Sequence, residues 1–322
     1  MIEVGSLILG LVFAVFGARF LVDGASAIAR QFDLPDVIIG AIIIGFGTSM
    51  PEFTVNIFSA VHHHTDLAIT NVLGSNIFNM LLILGICSII CPLTIQESLR
   101  KKDLPFHLIG GIVIGVCGNE IVLDGLDFNK LIPSDGIVFL LFFCIYLYYT
   151  FNSTERKNKE PVSGTEKADR EHGVVKPLVF IVLGLAGLMG GGEMIVDGAS
   201  HLAIRFGLAQ HLVGLLIVGP GTSLPELLTS VVAVIRKKPG MAVGNVVGSN
   251  IFNIFFTLGV SSIIYPLPLN MSLNMAILVT VVGSLLLLVF ASSGRHGSLG
   301  RIKGIFLFLT YIGYTTYLIG TA

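Results

Sequence analysis

Residues 22–93 return at 196–267, an offset of 174, with 32 of 72 positions identical and no gap. "VDGAS" at 22–26 recurs at 196–200, and "GFGTSMPE" at 45–52 recurs as "GPGTSLPE" at 219–226. "NVLGSNIFN" at 71–79 recurs as "NVVGSNIFN" at 245–253. A duplication confines the chain to architectures in which two copies of one unit dock together. What each copy contains narrows the choice further.

Charged residues make up only 12% of the 322 residues and hydrophobic ones 53%, with a mean hydropathy of +0.88. Soluble domains average about 25% charged residues, so this composition belongs in lipid. Apolar runs of spanning length lie near 4–28, 37–61, 67–91, 104–122, 133–151, 178–202, 211–235, 241–265, 272–292 and 301–320. Helix is the state that satisfies backbone polar groups in lipid. The polar stretch at 152–173 is read as part of a linker, giving a first half at 1–151, a linker at 152–177 and a second half at 178–322. Cys87, Cys91, Cys117 and Cys144 sit in apolar runs or at their edges and are read as packing residues. No cleavable leader is read at the start, where Glu3 precedes the first apolar run.

Five spans per half is an odd number, so the second copy must enter the membrane from the opposite side. The expected fold is therefore all-α: ten transmembrane helices as two inverted five-helix repeats, an architecture typical of secondary transporters. With the N-terminus outside, sixteen of the nineteen Lys and Arg residues fall in inner connections and only Lys130 and Arg205 in outer ones. This bias predicts both termini outside and the linker in the cytoplasm, in a prokaryotic plasma membrane.

The best-repeated segments are also the most polar parts of their spans. A carboxylate at a helix centre costs roughly 2.5–3.5 kcal/mol even on the lenient insertion scale. Glu52 and Glu226 have no basic partner in spans two, three, seven or eight, which makes a bound cation the simplest counter-charge. Pro51 and Pro225 interrupt the helical ladder beside them and free carbonyls to line a cavity. Thr48, Ser49 and Glu52 share a face, as do Ser75 and Asn79, and their copies Thr222, Ser223, Glu226, Ser249 and Asn253 repeat the spacing. Carboxylate, hydroxyl, amide and peptide oxygens without thiolate or imidazole suit hard cations such as sodium or calcium.

"GTSMPE" and "GTSLPE", each followed by "GSNIFN", resemble the two alpha-repeats of the sodium/calcium exchangers in the calcium/cation antiporter superfamily. The motif segments are 45–79 and 219–253, and the short linker resembles the compact prokaryotic members. The resemblance implies four adjoining cation sites. Glu52 and Glu226 would chelate calcium with Thr48 and Thr222. Sodium would add Ser49, Ser75, Ser223, Ser249 and the carbonyls of Gly45 and Gly219, with Asn79 and Asn253 bordering the middle position. It also implies about three sodium ions exchanged for one calcium by alternating access, with spans one and six moving together. Some relatives, potassium-dependent ones included, carry Asp where this chain has Asn253. Two carboxylates rather than three argue against potassium co-transport. The absence of a "GNxxE" pattern weighs against protons as the driving ion.

The competing functions are a proton-driven antiporter of calcium or another divalent cation, a passive channel, and a membrane enzyme. Inverted halves with buried sites favour alternating access over a pore. The spans show no nucleophile–base pair or metal-ligand triad, so no enzyme, cofactor, nucleic acid or obligate protein partner is expected. The "HHH" at 62–64 and the pair Asp23 and Asp197 are read as helix-end polar residues, and Phe78 and Phe252 as packing residues. Arg19 and Glu193, opposite in charge at equivalent positions, find no explanation in the pattern.

Overall fold

A computed structural model describes residues 2–32, 34–63, 65–123, 125, 127–157, 174–207, 219–293 and 297–321. The described residues are all-α apart from two short strand pairs. Among the described residues seven helices are long and apolar enough to cross a membrane. They are span one (Ile2–Gln31), three, five (Pro133–Lys157), six (Val175–Arg205), eight, nine (Leu273–Ser292) and ten (Arg301–Thr321). Span two is a pair, Asp36–Thr48 and Met50–Val61, bent by 44°. Span four opens with a π-helical turn, Leu99–Asp103, and continues as Leu104–Cys117, so it starts earlier than the apolar run and ends before 122. Of span seven, Gly219–Gly221 and Leu224–Ile235 are described, and 208–218 lie outside the described residues. Most of the linker, 158–173, lies outside them too.

The halves interdigitate across the repeat. Spans one and six run antiparallel in close contact, with Gly10 beside Gly191, Gly17 beside Gly184 and Gly24 beside Pro177. A Cβ on Gly17 would stand 2.6 Å from the Leu188 nitrogen and 2.8 Å from the Gly184 carbonyl. Small residues there let the two backbones meet, the usual basis of helix association in lipid. Span nine packs on span four, span ten on the C-terminal half of span three, and span five on the C-terminal half of span eight. The strand pairs obey the same exchange. β1 (Leu93–Thr94), after span three, pairs with β4 (Ser298–Leu299), before span ten. β2 (Lys130–Leu131), before span five, pairs with β3 (Leu267–Pro268), after span eight. Each half thus closes on the other as an inverted copy.

Spans three and eight form the centre. They carry much of the buried apolar surface, and 72% and 78% of their apolar windows lie buried, against 28% for spans one and six. Each central span contains a π-helical segment at the same repeat position, Phe78–Ile83 and Phe252–Thr257. Such segments in otherwise α-helical runs are frequent at functional sites. Phe252 stacks among Phe46 (4.8 Å) and Phe256 (4.9 Å), and Phe78 meets Tyr311 edge-on (5.6 Å), which is a packing role for both.

Candidate cation site

Both "GTS-x-PE" motifs break their helices at the serine. Ser49 (φ −83°, ψ 5°) and Ser223 (φ −90°, ψ 6°) leave helical geometry, and a new helix begins at Met50 and at Leu224. Proline is tolerated in the first helical turn, where its missing N–H has no ladder partner to lose. Glu52 and Glu226 therefore stand in the first turn of a helix, where the macrodipole favours a carboxylate. Both are fully buried, so sequence and local geometry together place two carboxyl groups deep in the bundle.

The two halves then share their hydroxyls. Ser49 Oγ donates to Glu226 Oε1 (3.0 Å), and Ser223 Oγ donates to Glu52 Oε1 (2.9 Å), each across the repeat. Within each half, Ser75 Oγ donates to Glu52 Oε1 (3.3 Å) and Ser249 Oγ stands 3.4 Å from Glu226 Oε1. Ser249 Oγ also donates to the Gly45 carbonyl (3.0 Å), and Thr48 Oγ1 lies 3.4 Å from that carbonyl and 3.5 Å from Ser249 Oγ. In the other cluster Ser223 and Ser75 hydroxyls are 2.9 Å apart, and Asn253 Nδ2 donates to Ser75 Oγ (3.2 Å). Asn79 Nδ2 donates to Asn250 Oδ1 (3.0 Å). Gly219 opens the short helical turn before Thr222.

Among the predicted ligands, four acceptor oxygens are left over. Glu52 Oε2, Glu226 Oε2, Asn79 Oδ1 and Asn253 Oδ1 are buried with no hydrogen-bond partner. They come from two pairs of repeat-related positions. A buried carboxylate oxygen without a donor carries a heavy desolvation cost, and cations remove it. Among the described residues no cluster of three or more His, Cys, Asp or Glu side chains forms a transition-metal site. The oxygen-only donor set fits calcium or sodium as cargo.

Several asparagines escaped the motif reading. Thr48 Oγ1 donates to Asn245 Oδ1 (3.2 Å), and its repeat mate Thr222 Oγ1 stands 3.5 Å from Asn71 Oδ1. Asn245 Nδ2 donates to Ser230 Oγ (2.9 Å) and to the Glu226 carbonyl (3.2 Å), while Asn56 Nδ2 donates to the Glu52 carbonyl (2.9 Å). Asn71 and Asn245 begin the repeated "NV" of spans three and eight, and that identity was the available signal. Asp23 departs from the helix-end expectation: it pairs with Arg236 (3.3 Å), tying span one to the connection after span seven. His63 packs on Tyr265 (4.2 Å), and the Arg19 guanidinium lies over Phe16 (5.7 Å).

Known proteins resemble the chain over most of its length. The family described as "Sodium/calcium exchanger protein" matches residues 2–152 and 176–320. An uncharacterised membrane protein of Methanocaldococcus jannaschii is 35% identical over 311 residues, 96% of this chain and 95% of its own. Inner membrane protein YrbG of Escherichia coli is 36% identical over 266 residues, 81% of this chain and 79% of its own. A solved structure of the sodium-calcium exchanger NCX_Mj, soaked without sodium or calcium, superposes with a TM-score of 0.82 at 33% identity, covering 98% of each chain.

Proposed function

The chain belongs to the sodium/calcium exchanger family and is a secondary active sodium/calcium antiporter of the membrane; from that premise we propose which of its atoms hold the ions. Glu52 and Glu226 chelate calcium, with Thr48 and Thr222 beside them. Ser49, Ser75, Ser223, Ser249 and the carbonyls of Gly45 and Gly219 add the sodium positions, and Asn79 and Asn253 border the middle one. The observation that carries this reading is that Glu52 and Glu226, and likewise Asn79 and Asn253, each keep a buried acceptor oxygen without a partner at repeat-related positions. Two carboxylates balance one calcium, whereas three sodium ions leave one net positive charge, which makes exchange at that ratio electrogenic.

The serine pattern supports competition between the ions. Each carboxylate accepts from a serine of the opposite half and has a serine hydroxyl of its own half within 3.4 Å. A cation that takes an Oε1 lone pair must turn those hydroxyls, so one ion's arrival reorganises the donors the other would use. The distribution of basic residues supports both termini outside and the 152–177 linker inside. In sealed proteoliposomes loaded with sodium, calcium accumulates against its own gradient and stops when the sodium gradient is abolished. A membrane-impermeant thiol reagent then reaches Arg205→Cys from outside and Lys237→Cys only after permeabilisation. Calcium flux that merely dissipates gradients would make this a channel, and equal accumulation under a proton gradient alone would make it proton-coupled.

A further inference from the structure

His107 of span four is buried (1% exposed) and stands outside the ion site. Its ring is held between spans eight and nine: Nδ1 lies 2.9 Å from Ser284 Oγ and Nε2 lies 3.2 Å from Asn250 Nδ2. The direction of each bond follows from acceptor-only groups at both ends. Ser284 Oγ donates its single proton to the Thr280 carbonyl at 2.6 Å. It must therefore accept from His107, so Nδ1 carries the hydrogen and a neutral ring leaves Nε2 with a lone pair. Only an N–H suits that lone pair, so Asn250 faces it with its Nδ2, whose other hydrogen goes to the Asn76 carbonyl (3.2 Å). Asn250 Oδ1 then points to Asn79, and Asn79 must answer with Nδ2 (3.0 Å). Asn79 Oδ1 is thereby turned away from this chain of bonds, and it is one of the four partnerless oxygens.

The geometry points to His107 as a positioning residue for transport: through Asn250 it orients the Asn79 amide so that its oxygen, not its nitrogen, is presented to the ion. The inference rests on the reading of Asn79 as an ion-site residue. An amide is nearly symmetric in shape, and a flip would replace an acceptor by a donor where a cation must bind. The relay exists in one half alone. Asn76, the repeat copy of Asn250, has neither amide atom bonded, and Asn253, the copy of Asn79, donates to Ser75 instead. Partners that orient a metal ligand strongly affect affinity even without touching the ion.

The test is a transport double-mutant cycle in proteoliposomes. His107→Leu removes the acceptor for Asn250 and raises the calcium KM roughly fivefold, the effect of one net hydrogen bond, with kcat within about twofold. His107→Gln offers an amide oxygen to Asn250 and an N–H to Ser284, and restores the wild-type KM. In an Asn79→Ala background, which has no amide to orient, His107→Leu changes nothing further. The same fivefold change in both backgrounds would overturn the relay. Wild-type KM in Asn79→Ala alone would instead remove Asn79 from the site, and the relay would fall with it. Nitrogen-15 NMR of histidine-labelled protein, with the His107 signal assigned by its loss in His107→Gln, reads the tautomer directly and needs no variant to transport. A neutral Nδ1–H ring is expected, and an Nε2–H ring would contradict the bond directions.

Discussion

Glu52 and Glu226 put the central charge question in its simplest form. Each has one oxygen satisfied by serines and one with no partner. Glutamine keeps the shape and one oxygen while removing the charge, so Glu52→Gln and Glu226→Gln separate folding from binding. Removing one partner of a buried charge pair costs about 3–5 kcal/mol, so calcium affinity should fall by roughly a hundredfold or more in each variant. The ion-free protein should behave oppositely. A central charge costs roughly 2.5–3.5 kcal/mol in a membrane, so each variant should insert normally and unfold at a higher temperature in chelator. Flux assays and thermal melts with and without calcium measure the two effects. Near-normal calcium flux in a well-folded Glu226→Gln protein would remove the carboxylates from the mechanism. The two acids were legible in sequence because a charge in a span is rare, and its recurrence after 174 residues is rarer still. The crossing of Ser49 to Glu226 and of Ser223 to Glu52 was not legible, since it depends on how the halves dock. His107 was silent for the same reason. Its partners come from spans eight and nine, more than 140 residues away.

At the scale of elements, spans one and six stand apart from the central spans. They are mainly apolar, far less buried than the central spans and matched to each other by glycines, with Gly17 and Gly184 backbone to backbone. A smooth, glycine-faced pair can shift as one body over the bundle without unpacking its own interface, which fits the movement the family resemblance implies. The Asp23–Arg236 pair bridges this body to the connection after span seven, with side chains 43% and 46% exposed. Exposed pairs contribute only about 0–1 kcal/mol, so this one is weak enough to break in every cycle. Replacing the native cysteines, then joining Asp23→Cys to Arg236→Cys with a short bifunctional maleimide, should stop exchange while leaving calcium binding in place. Full transport by a quantitatively crosslinked sample would show that span one need not move. Glycine and proline in the repeats announced the breaks in spans two and seven. The π-helical segments were not announced, because Phe78–Ile83 and Phe252–Thr257 read as ordinary apolar helix and differ only in which carbonyl each N–H reaches.

For the whole molecule, the two halves match closely but not completely, and the symmetric position at Asn79 and Asn253 sets the charge of the proposed site. Both are amides, so the site offers the carboxylates of Glu52 and Glu226 and no third. A third carboxylate would give one more cation a counter-charge, and without it potassium has none. We therefore expect sodium-driven calcium uptake that is unchanged when potassium is replaced by choline. Asn253→Asp probes the point with almost no change in shape. Asn253 donates from Nδ2 to Ser75 Oγ, and Ser75 donates onward to Glu52 Oε1. An ionised aspartate cannot donate. It would draw the Ser75 proton towards itself and leave Glu52 short of one hydroxyl, altering both the charge and the hydrogen-bond direction across the repeat. Sodium/calcium competition should then shift at high pH, where the new acid is ionised, and return towards wild type at low pH, where a protonated carboxyl again donates to Ser75. The measurement is sodium-gradient-driven calcium flux in vesicles, with and without potassium, across pH for wild type and Asn253→Asp. An absolute potassium requirement in the wild type would defeat the two-carboxylate account, and a pH profile identical in both proteins would show that position 253 does not face the ions.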